Sequence, residues 1–377
     1  MRALNRRYTP NSGNRPRIGI DYRLALVKTR GMGRYIAYLV DTLKNRDDGM
    51  DFVLLCDRSP GVAFDPGRMK IDIVPMLNYI FFEQFAIPAS AKRLALDAVW
   101  SPANTFPLFM PKSIYRFVTI HDLIFLMRGL GDSLTPKQRI GKIYRSLVCK
   151  MGARKPNVIF TDSCFSISEI KSKLGRDDAI YAPVMNEYQT SLKYSKSVLD
   201  EYSLKDGKYF FTVSGDAPSK NLLSVLIAHD LSDSGMPLVV SGVSNPRSIA
   251  RFLSRCAENV IFTGYLSDEE LFSLYKHAGC FLFLSLAEGF GIPILEAMSY
   301  NLPIIASNRT SIPEVIGNCG VLVDPLNVDE VARTMRTFKR SDFIEMIKHQ
   351  PTQLEKFNSW TKTADIVVNA MKKVLYA

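Results

Sequence analysis

One stretch in the C-terminal half of the chain limits the possible folds most strongly. An apolar run from Cys280 to Leu286 is long enough for a buried strand, and a glycine-containing turn follows it directly. Residues 293 to 300 have the pattern of a helix, and Pro293 at its first position loses no hydrogen bond. The order strand, turn and helix is the repeating unit of an α/β fold. A helix that starts there aims free N–H groups at the turn, which suits an anion such as a diphosphate.

Two glutamates, Glu288 and Glu296, flank this turn. An ionised carboxylate only accepts hydrogen bonds and repels phosphate, so neither glutamate fits an anion site by itself. Hydroxyl groups, such as those of a sugar and a ribose, are better partners for both side chains.

Short apolar runs alternate with helical patterns along the chain, in two series. With 377 residues, of which 47% are hydrophobic and 23% charged, the chain is long enough for two globular domains. The alternation predicts an α/β fold with largely parallel sheets, and a polar linker from about Ala182 to Lys208 joins the two series. The predicted strands are Ile18–Asp21, Phe52–Cys56, Leu94–Trp100, Phe117–Ile120, Val158–Phe160, Phe210–Val213, Leu238–Val243, Val260–Phe262, Cys280–Leu286, Pro303–Ala306 and Gly320–Val323.

A second candidate anion site follows the strand Phe210–Val213. Residues 214 to 221 form a turn that ends in Lys220 and Asn221 before a predicted helix. A cation at that place can join the helix N–H groups in binding an anion. Lysine and asparagine after a strand are by themselves a weak signal, and a solvated helix start is the alternative.

The N-terminal series offers two more candidates. Gly31 and Gly33 precede a helix and let the backbone approach a phosphate, but Ile36 occupies the third glycine position of a dinucleotide fingerprint. His121 and Asp122 end a predicted strand, where open α/β sheets bind ligands. An orienting or helix-capping role is the alternative for Asp122.

Together these motifs resemble the family 4 retaining glycosyltransferases. The resemblance runs from about Ile18 to Asp324, and the segment from Glu288 to Glu296 is its most specific part. It implies the GT-B architecture, in which two Rossmann-like domains face each other across a cleft and a C-terminal helix crosses back to the N-terminal domain. The domains are then residues 17–185 together with the helix 359–377, and residues 205–358, preceded by a flexible basic arm over residues 1–16.

The resemblance also implies the roles of the site residues. Glu288, His121 and Asp122 are expected at the reacting sugar, with Glu288 accepting from its hydroxyls and Glu296 accepting from the ribose. A nucleotide sugar is the implied co-substrate, with no cofactor and no metal. The residues expected to bind it are Gly31, Gly33, Ser214, Lys220, Asn221, Tyr265, Leu266, Phe290, Gly291, Ile292, Leu295 and Glu296.

The positive charge of the chain needs an explanation of its own. The formal net charge is +11, which predicts an anionic partner such as nucleic acid, a membrane surface or a phosphorylated substrate. Residues 136 to 153 predict a basic amphipathic helix with no acid in or just after it. We expect its apolar face to pack on a sheet, with a membrane-surface contact as the second interpretation. That face comprises Ile140, Ile143, Tyr144, Leu147, Val148 and Met151.

Cysteine and histidine usage points to the cytoplasm and away from a structural metal. The six cysteines include no Cys-x-x-Cys pair, and the four histidines have no zinc-type spacing. No apolar run is long enough to span a bilayer. The expected location is cytoplasmic, with a peripheral contact at the inner face of the membrane as an open question.

Two other functions stay open at this stage. A dinucleotide-dependent oxidoreductase or epimerase would use Asp57 for a ribose, although the glycine fingerprint is broken. A basic membrane- or nucleic-acid-binding protein would account for the charge, although no nucleic-acid-binding motif is present. Within the resemblance, Phe82, Glu83 and Gln84 before Pro88 favour mannosyl- or rhamnosyl-type transferases of bacterial surface polysaccharides, with a lipid-linked acceptor. GDP-mannose is then the first expected donor and a UDP-sugar the second.

Overall fold

A computed structural model describes residues 15–27, 31–76, 78–127, 136–184, 197–244, 259–357 and 359–377. Cys256, most of the predicted basic arm and part of the predicted linker lie outside these residues. The described chain forms two compact units. The first contains residues up to 126, from 137 to 184 and from 359 onwards, and the second contains residues 197 to 357.

The first unit is built on a sheet of seven parallel strands. Their bounds are β1 (Arg17–Asp21), β2 (Asp51–Cys56), β3 (Lys70–Ile73), β4 (Ala98–Ser101), β5 (Tyr115–Thr119), β6 (Val158–Thr161) and β7 (Ile180–Tyr181). Side by side they run in the order β3, β2, β1, β4, β5, β6 and β7. The order reverses between β1 and β4, so the carboxyl ends of these two strands flank the crevice where such sheets bind ligands.

Helices connect the strands of the first unit. Their bounds are α1 (Arg23–Val27), α2 (Met32–Leu43), α3 (Tyr79–Phe81), α4 (Ile87–Arg93), α5 (Pro136–Gly152) and α6 (Cys164–Leu174). A π-helical turn, Phe82–Ala86, joins α3 to α4, and a 3₁₀ turn covers Ile124–Leu126. Among the described residues, no helix combines the length and the apolar content that crossing a membrane requires.

The second unit repeats the plan with six parallel strands. They are β8 (Phe210–Val213), β9 (Leu238–Ser241), β10 (Val260–Gly264), β11 (Cys280–Phe283), β12 (Ile304–Ser307) and β13 (Val321–Val323), in the spatial order β10, β9, β8, β11, β12 and β13. The helices are α7 (Ser197–Glu201), α8 (Leu222–Ser232), α9 (Asp268–His277), α10 (Ile292–Ser299), α11 (Ile312–Ile316), α12 (Val328–Arg336) and α13 (Ile344–Glu355). Two 3₁₀ turns cover Pro218–Lys220 and Arg340–Phe343.

Several strands in each parallel sheet are apolar and buried on both faces. All four residues of β11 are buried, as are all four of β4 and β12. Strands of this kind read as continuous apolar runs because helices cover each face of the sheet. The two-domain α/β prediction is therefore confirmed.

The last helix, α14 (Trp360–Leu375), returns to the first unit, as predicted. The Trp360 indole is 1% exposed and stacks on the Tyr38 ring of α2 at a centroid distance of 5.6 Å. The Thr363 hydroxyl donates to the Pro183 carbonyl oxygen at 2.6 Å. An ion pair between Arg46, which follows α2, and Asp365 of α14 adds a charged contact, with 2.6 Å between Nη2 and Oδ1.

The sequence patterns missed three elements of the first unit. Strand β3 lies at the sheet edge and alternates polar with apolar residues, and β7 has only two residues. The run from Tyr79 to Arg93 is helical although it contains Pro88, which is the second residue of α4 and follows the π-helical turn directly. The strand expected from Leu94 begins only at Ala98, because Ala95 has a φ of 49° that ends α4 in a left-handed turn.

The amphipathic helix α5 is where the sequence interpretation was wrong. Val148 is buried and Tyr144 partly buried, but the other four members of the predicted apolar face are more than half exposed. We refer to these four as the α5 stripe: Ile140, Ile143, Leu147 and Met151. Val148 and Cys149, with Gly152 in the last turn, make the contact with the sheet, so the helix is rotated away from the expected orientation.

A buried carboxyl ties α5 to the π-helical turn. Glu83 is 2% exposed, and its Oε1 accepts from the Tyr144 hydroxyl at 2.5 Å and from the Gln84 amide at 2.9 Å. Its Oε2 accepts from the Thr105 hydroxyl at 2.5 Å. Burial raises the pKa of the Glu83 carboxyl to about 7, although the hydrogen bonds from Thr105 and Tyr144 oppose that rise.

Glu83→Gln should remove a pH dependence of stability. Because the pKa of Glu83 is higher in the fold than in the unfolded chain, its contribution is complete below the unfolded value and is lost as pH rises to about 7. The whole shift corresponds to roughly 3 kcal/mol. Thermal midpoints at pH 5 and pH 8 should therefore differ more in the wild type than in the variant. The exposed Glu355→Gln serves as the control, and equal pH profiles for all three proteins would contradict the assignment.

Candidate functional site

In the second unit, the loops after β8 and β11 bring two predicted site residues together. The Lys220 ammonium forms an ion pair with the Glu288 carboxylate, with 2.7 Å between Nζ and Oε1. Both side chains are partly accessible, at 26% and 15% exposure. Lys220 also lies over the Phe283 ring at 5.6 Å. A cation and an acceptor for hydroxyl groups are thus adjacent at the carboxyl edge of the sheet.

Asn221 sets the position of Lys220 through its own side chain. Its amide nitrogen donates to the Leu284 carbonyl oxygen at 3.1 Å and to the Pro325 carbonyl oxygen at 2.8 Å. Its backbone is left-handed, with a φ of 55°, a conformation that asparagine tolerates better than most residues. The side chain therefore holds three strand ends together, and its predicted contact with the donor stays a prediction.

The turn after β11 is held by hydroxyl groups from the loop after β12. The Thr310 hydroxyl oxygen accepts from the Glu288 N–H at 3.1 Å. The Ser311 hydroxyl lies 3.0 Å from the Glu288 carbonyl oxygen and 2.9 Å from that of Phe290. Gly291 has a φ of 115° and precedes α10 directly, so the helix begins at Ile292 and Pro293 is its second residue. A side chain at Gly291 would be strained in this backbone conformation.

Several predicted donor contacts are buried side chains. Phe290 is 4% exposed and packs edge-on against Phe357, and Leu295 is fully buried. Glu296 is 5% exposed, and its Oε2 accepts from the Tyr275 hydroxyl at 2.6 Å. At Phe290 and Leu295, only the backbone is left to meet a ligand.

Two further predicted residues differ in their exposure. Tyr265, after β10, is 68% exposed, and Leu266 beside it is partly buried. The Ser214 hydroxyl, at the end of β8, is buried and has no hydrogen-bond partner in the part of the chain that the structure describes. An unsatisfied buried hydroxyl is costly, which makes the end of β8 a reasonable place for a polar ligand.

In the first unit, His121 is held at both ring nitrogens. Nδ1 lies 2.7 Å from Asp162 Oδ2, and Nε2 lies 3.0 Å from the Pro102 carbonyl oxygen. Both partners are acceptors, so the geometry favours an imidazolium that donates from each nitrogen. Burial opposes the charge, but the nearby Asp162 carboxylate more than offsets it and raises the pKa of His121. The ring of Tyr35 covers it edge-on at 4.6 Å.

Asp122 has the capping role that the sequence left open. Its Oδ1 accepts from the Ile124 N–H at 3.0 Å, at the start of the 3₁₀ turn, and its Oδ2 accepts from the Asn104 amide at 3.3 Å. Asn104 also accepts from the His121 N–H at 2.6 Å. Burial raises the pKa of the Asp122 carboxyl. These bonds orient the strand end that carries His121.

Gly31 and Gly33 begin α2, as the pattern indicated. Gly31 has φ 61° and ψ −131° at the N-cap, a conformation open only to glycine, and Gly33 is buried in the first turn. An added Cβ at Gly31 would meet no atom within 4 Å, so the backbone conformation is what requires glycine. Across the described ranges, no cluster of three potential metal ligands occurs.

Sequence reasoning missed the partners that hold the site residues. Tyr275, Asp162, Asn104 and Ser311 each reach a predicted residue from another part of the chain. Asp162 and Ser311 follow strands, so their positions at strand ends were the available signal.

Two Rossmann-like units with parallel sheets, and ligand-binding residue types at the carboxyl ends of their strands, define a GT-B glycosyltransferase fold. Among solved structures, sucrose-phosphate synthase from Thermosynechococcus elongatus has this fold with a TM-score of 0.72 at 14% identity, over 96% of this chain and 99% of that one. Residues 200–353 match the family model of group 1 glycosyl transferases.

Curated relatives from Escherichia coli agree with the family model. The O-antigen chain mannosyltransferase B is 30% identical over 280 residues, which cover 70% of this chain and 72% of the relative. The serotype-specific mannosyltransferase WbdA is 32% identical over 281 residues, 68% of this chain and 33% of that protein. The chain thus spans about a third of the length of the WbdA relatives. It belongs to the group 1 glycosyltransferases.

Asn221→Ala should destabilise the second unit. The change leaves two carbonyl oxygens without their donor and forces alanine into a left-handed conformation, which together cost about 2–4 kcal/mol. Urea unfolding followed by far-UV circular dichroism measures the loss, because both tryptophans, Trp100 and Trp360, lie in the first unit. Asn221→Gly keeps the backbone conformation and loses only the hydrogen bonds, so it should lie between alanine and wild type. An alanine variant as stable as the wild type would show that the bridge contributes nothing.

Proposed function

We propose that this protein transfers mannose from GDP-mannose to a hydroxyl group of a glycan acceptor, with retention of the anomeric configuration, in the synthesis of a bacterial surface polysaccharide. Support for the sugar comes from the two relatives, whose names describe mannosyltransferases. The observation that carries the proposal is the ion pair between Lys220 and Glu288 at the carboxyl edge of the second sheet.

The ion pair suggests how the donor is received. A diphosphate is a stronger partner for the Lys220 ammonium than a single carboxylate, because it offers more charge and more acceptor atoms. When Lys220 turns to the diphosphate, the Glu288 carboxylate becomes free to accept from sugar hydroxyls. Each group thus has a partner before and after binding, and neither charge is left unpaired at an accessible edge.

Backbone groups would complete the donor site. The N–H groups at the start of α10, around Gly291 and Ile292, form the positive end of a helix and can stabilise the charge that develops on the leaving diphosphate. Glu296 would accept from the ribose hydroxyls while Tyr275 holds its other side. We infer that no metal takes part, because Lys220 and the helix N–H groups supply the positive charge.

The other predicted site residues keep the roles that the family resemblance gives them. His121 as an imidazolium would favour the developing negative charge of a phosphate more than a neutral ring would. Asp122 acts through its capping bonds rather than as a base. Gly31 and Gly33 would let the start of α2 approach an anion.

Lys220→Met should lower kcat/KM for GDP-mannose by about 100-fold or more, because it removes the cation expected at the diphosphate. Glu288→Gln should lower kcat by a similar factor and leave GDP binding nearly unchanged. Transfer is measured with a synthetic mannoside acceptor, in buffer with and without EDTA, and the rates should not depend on EDTA. The exposed Lys208→Met is the charge-matched control.

Two outcomes would contradict the donor assignment. Full activity of either site variant would exclude the ion pair as the donor site. If UDP-sugars raised the thermal midpoint and GDP-mannose did not, the donor would be a UDP-sugar and the assignment of GDP-mannose would be wrong.

We also propose a lipid-linked acceptor and a peripheral contact with an anionic membrane. The α5 stripe exposes four large apolar side chains, and Phe81 and Phe85, which stack at 5.6 Å, add two more that are over half exposed. Among the described residues, none of the basic side chains Arg139, Arg145, Lys150 and Arg154 forms an ion pair. An apolar stripe beside unpaired cations is the pattern of a helix that lies on an anionic bilayer.

The double substitution Ile143→Ser and Leu147→Ser should weaken binding to phosphatidylglycerol vesicles by tenfold or more. Both side chains are over half exposed, so the fold should tolerate the change, while each buries apolar area in the bilayer. Co-sedimentation measures the partition, with phosphatidylcholine vesicles for comparison. The control is Leu326→Ser, an equally exposed leucine of the second unit. If the double variant bound phosphatidylglycerol vesicles as well as the wild type does, the proposed membrane contact of α5 would be wrong.

A further inference from the structure

A group of cationic and aromatic side chains lies at the carboxyl edge of the first unit's sheet, apart from His121. Arg23 follows the end of β1, and its guanidinium carbon lies 5.2 Å from the centre of the Tyr79 ring. Arg145, on α5, lies near the same tyrosine and interacts with it electrostatically. A Cβ placed at Gly141 would lie 3.3 Å from Arg145 Nη1 and 3.8 Å from the Tyr79 hydroxyl.

Neither Arg23 nor Arg145 forms an ion pair within the described ranges, and Arg23 Nε is buried without a hydrogen-bond partner there. Arg145 packs over the Phe125 ring at 5.7 Å. Asp21 and Glu83 are close enough to Arg23 to interact with its charge, and burial raises the pKa of both carboxyls.

Close packing at Gly141 brings the two groups together. An added side chain there would crowd Arg145 Nη1, so the glycine lets Tyr79 and the Arg145 guanidinium pack against this turn of α5. Tyr79 precedes a π-helical turn, an element that often marks a functional site. The end of β1 also flanks the reversal in strand order, where open sheets bind their ligands.

Exposed apolar side chains continue from this charged group. Phe81 and Phe85 lie two and six residues after Tyr79, and the Tyr79 ring meets Tyr144 of α5 edge-on at 5.5 Å. Ile140 and Ile143 of the α5 stripe flank Gly141 in sequence and are about 60% exposed. A ligand that combined an anionic head with a hydrocarbon chain would match both features.

We propose that Arg23, Tyr79 and Arg145 bind the phosphate group of an amphiphilic acceptor, whose hydrocarbon chain lies along the exposed apolar side chains of α5 and of the Phe81–Phe85 pair. Arg145 and Arg23 supply planar donors that suit phosphate oxygens, and Tyr79 adds a hydroxyl group near them. This inference rests on the lipid-linked acceptor of the proposed function and names the residues that would recognise it.

Binding of farnesyl diphosphate to the full chain tests the proposal. Isothermal titration should show binding that is at least tenfold weaker in Arg23→Gln and in Arg145→Gln, and intermediate in Arg145→Lys, which keeps the charge without the planar fork. The control Lys171→Gln removes an exposed charge from α6 of the same unit and should bind as the wild type does. Farnesol and inorganic pyrophosphate should each bind at least tenfold more weakly than farnesyl diphosphate.

Three results would overturn the inference. Equal affinity for pyrophosphate and farnesyl diphosphate would leave no role for the apolar surface. Equal affinity of the arginine variants and the wild type would exclude the cluster. Loss of farnesyl diphosphate binding in Lys220→Met would place the probe in the donor site instead. GDP-mannose binding, followed in parallel, should be unchanged in Arg145→Gln, so that a failure of the acceptor site is distinguished from a failure of the donor assignment.

Discussion

The amide of Asn221 is the interaction on which the second unit's site depends. It joins the loop after β8 to the end of β11 and to the loop after β13, through two main-chain carbonyl oxygens. Lys220 precedes it and Glu288 follows β11, so the 2.7 Å between their charged groups is a consequence of this bridge. A hydrogen bond to main chain fixes position without competing for a ligand, which leaves the charged side chains free to change partners.

In the first unit, the side chain of Asn104 fixes the position of the strand end that carries His121. Its side chain accepts from the His121 N–H and donates to Asp122, which in turn caps the following turn. In both units an asparagine with a positive φ braces the end of a strand. In both units a neutral amide thus fixes the position of the neighbouring ionisable site residue.

Local pattern was enough to predict the second unit in most of its detail. The segment from Cys280 to Ser299 is a strand, a glycine turn and a helix because neighbouring residues determine each of these features. Tyr275 and Asp162 could not be paired with Glu296 and His121 in the same way, because 21 and 41 residues separate the partners and only the sheet brings them together. For α5, the apolar period predicted a helix correctly but could not say which face the sheet would cover. The solvent-facing α5 stripe shows that apolar periodicity predicts a helix but does not predict which other elements the helix packs against.

The helix α14 has a consequence for how the chain is made. Trp360, Val367 and Met371 are almost fully buried against the first unit, although they are synthesised after the strands of both sheets. The strands of that unit are complete nearly two hundred residues earlier, yet part of their cover is missing until the C-terminal helix emerges from the ribosome. The second unit has all its own strands by then and can fold first. Vectorial synthesis therefore leaves the N-terminal unit with an exposed apolar surface around Tyr35 and Tyr38 until α14 has been made.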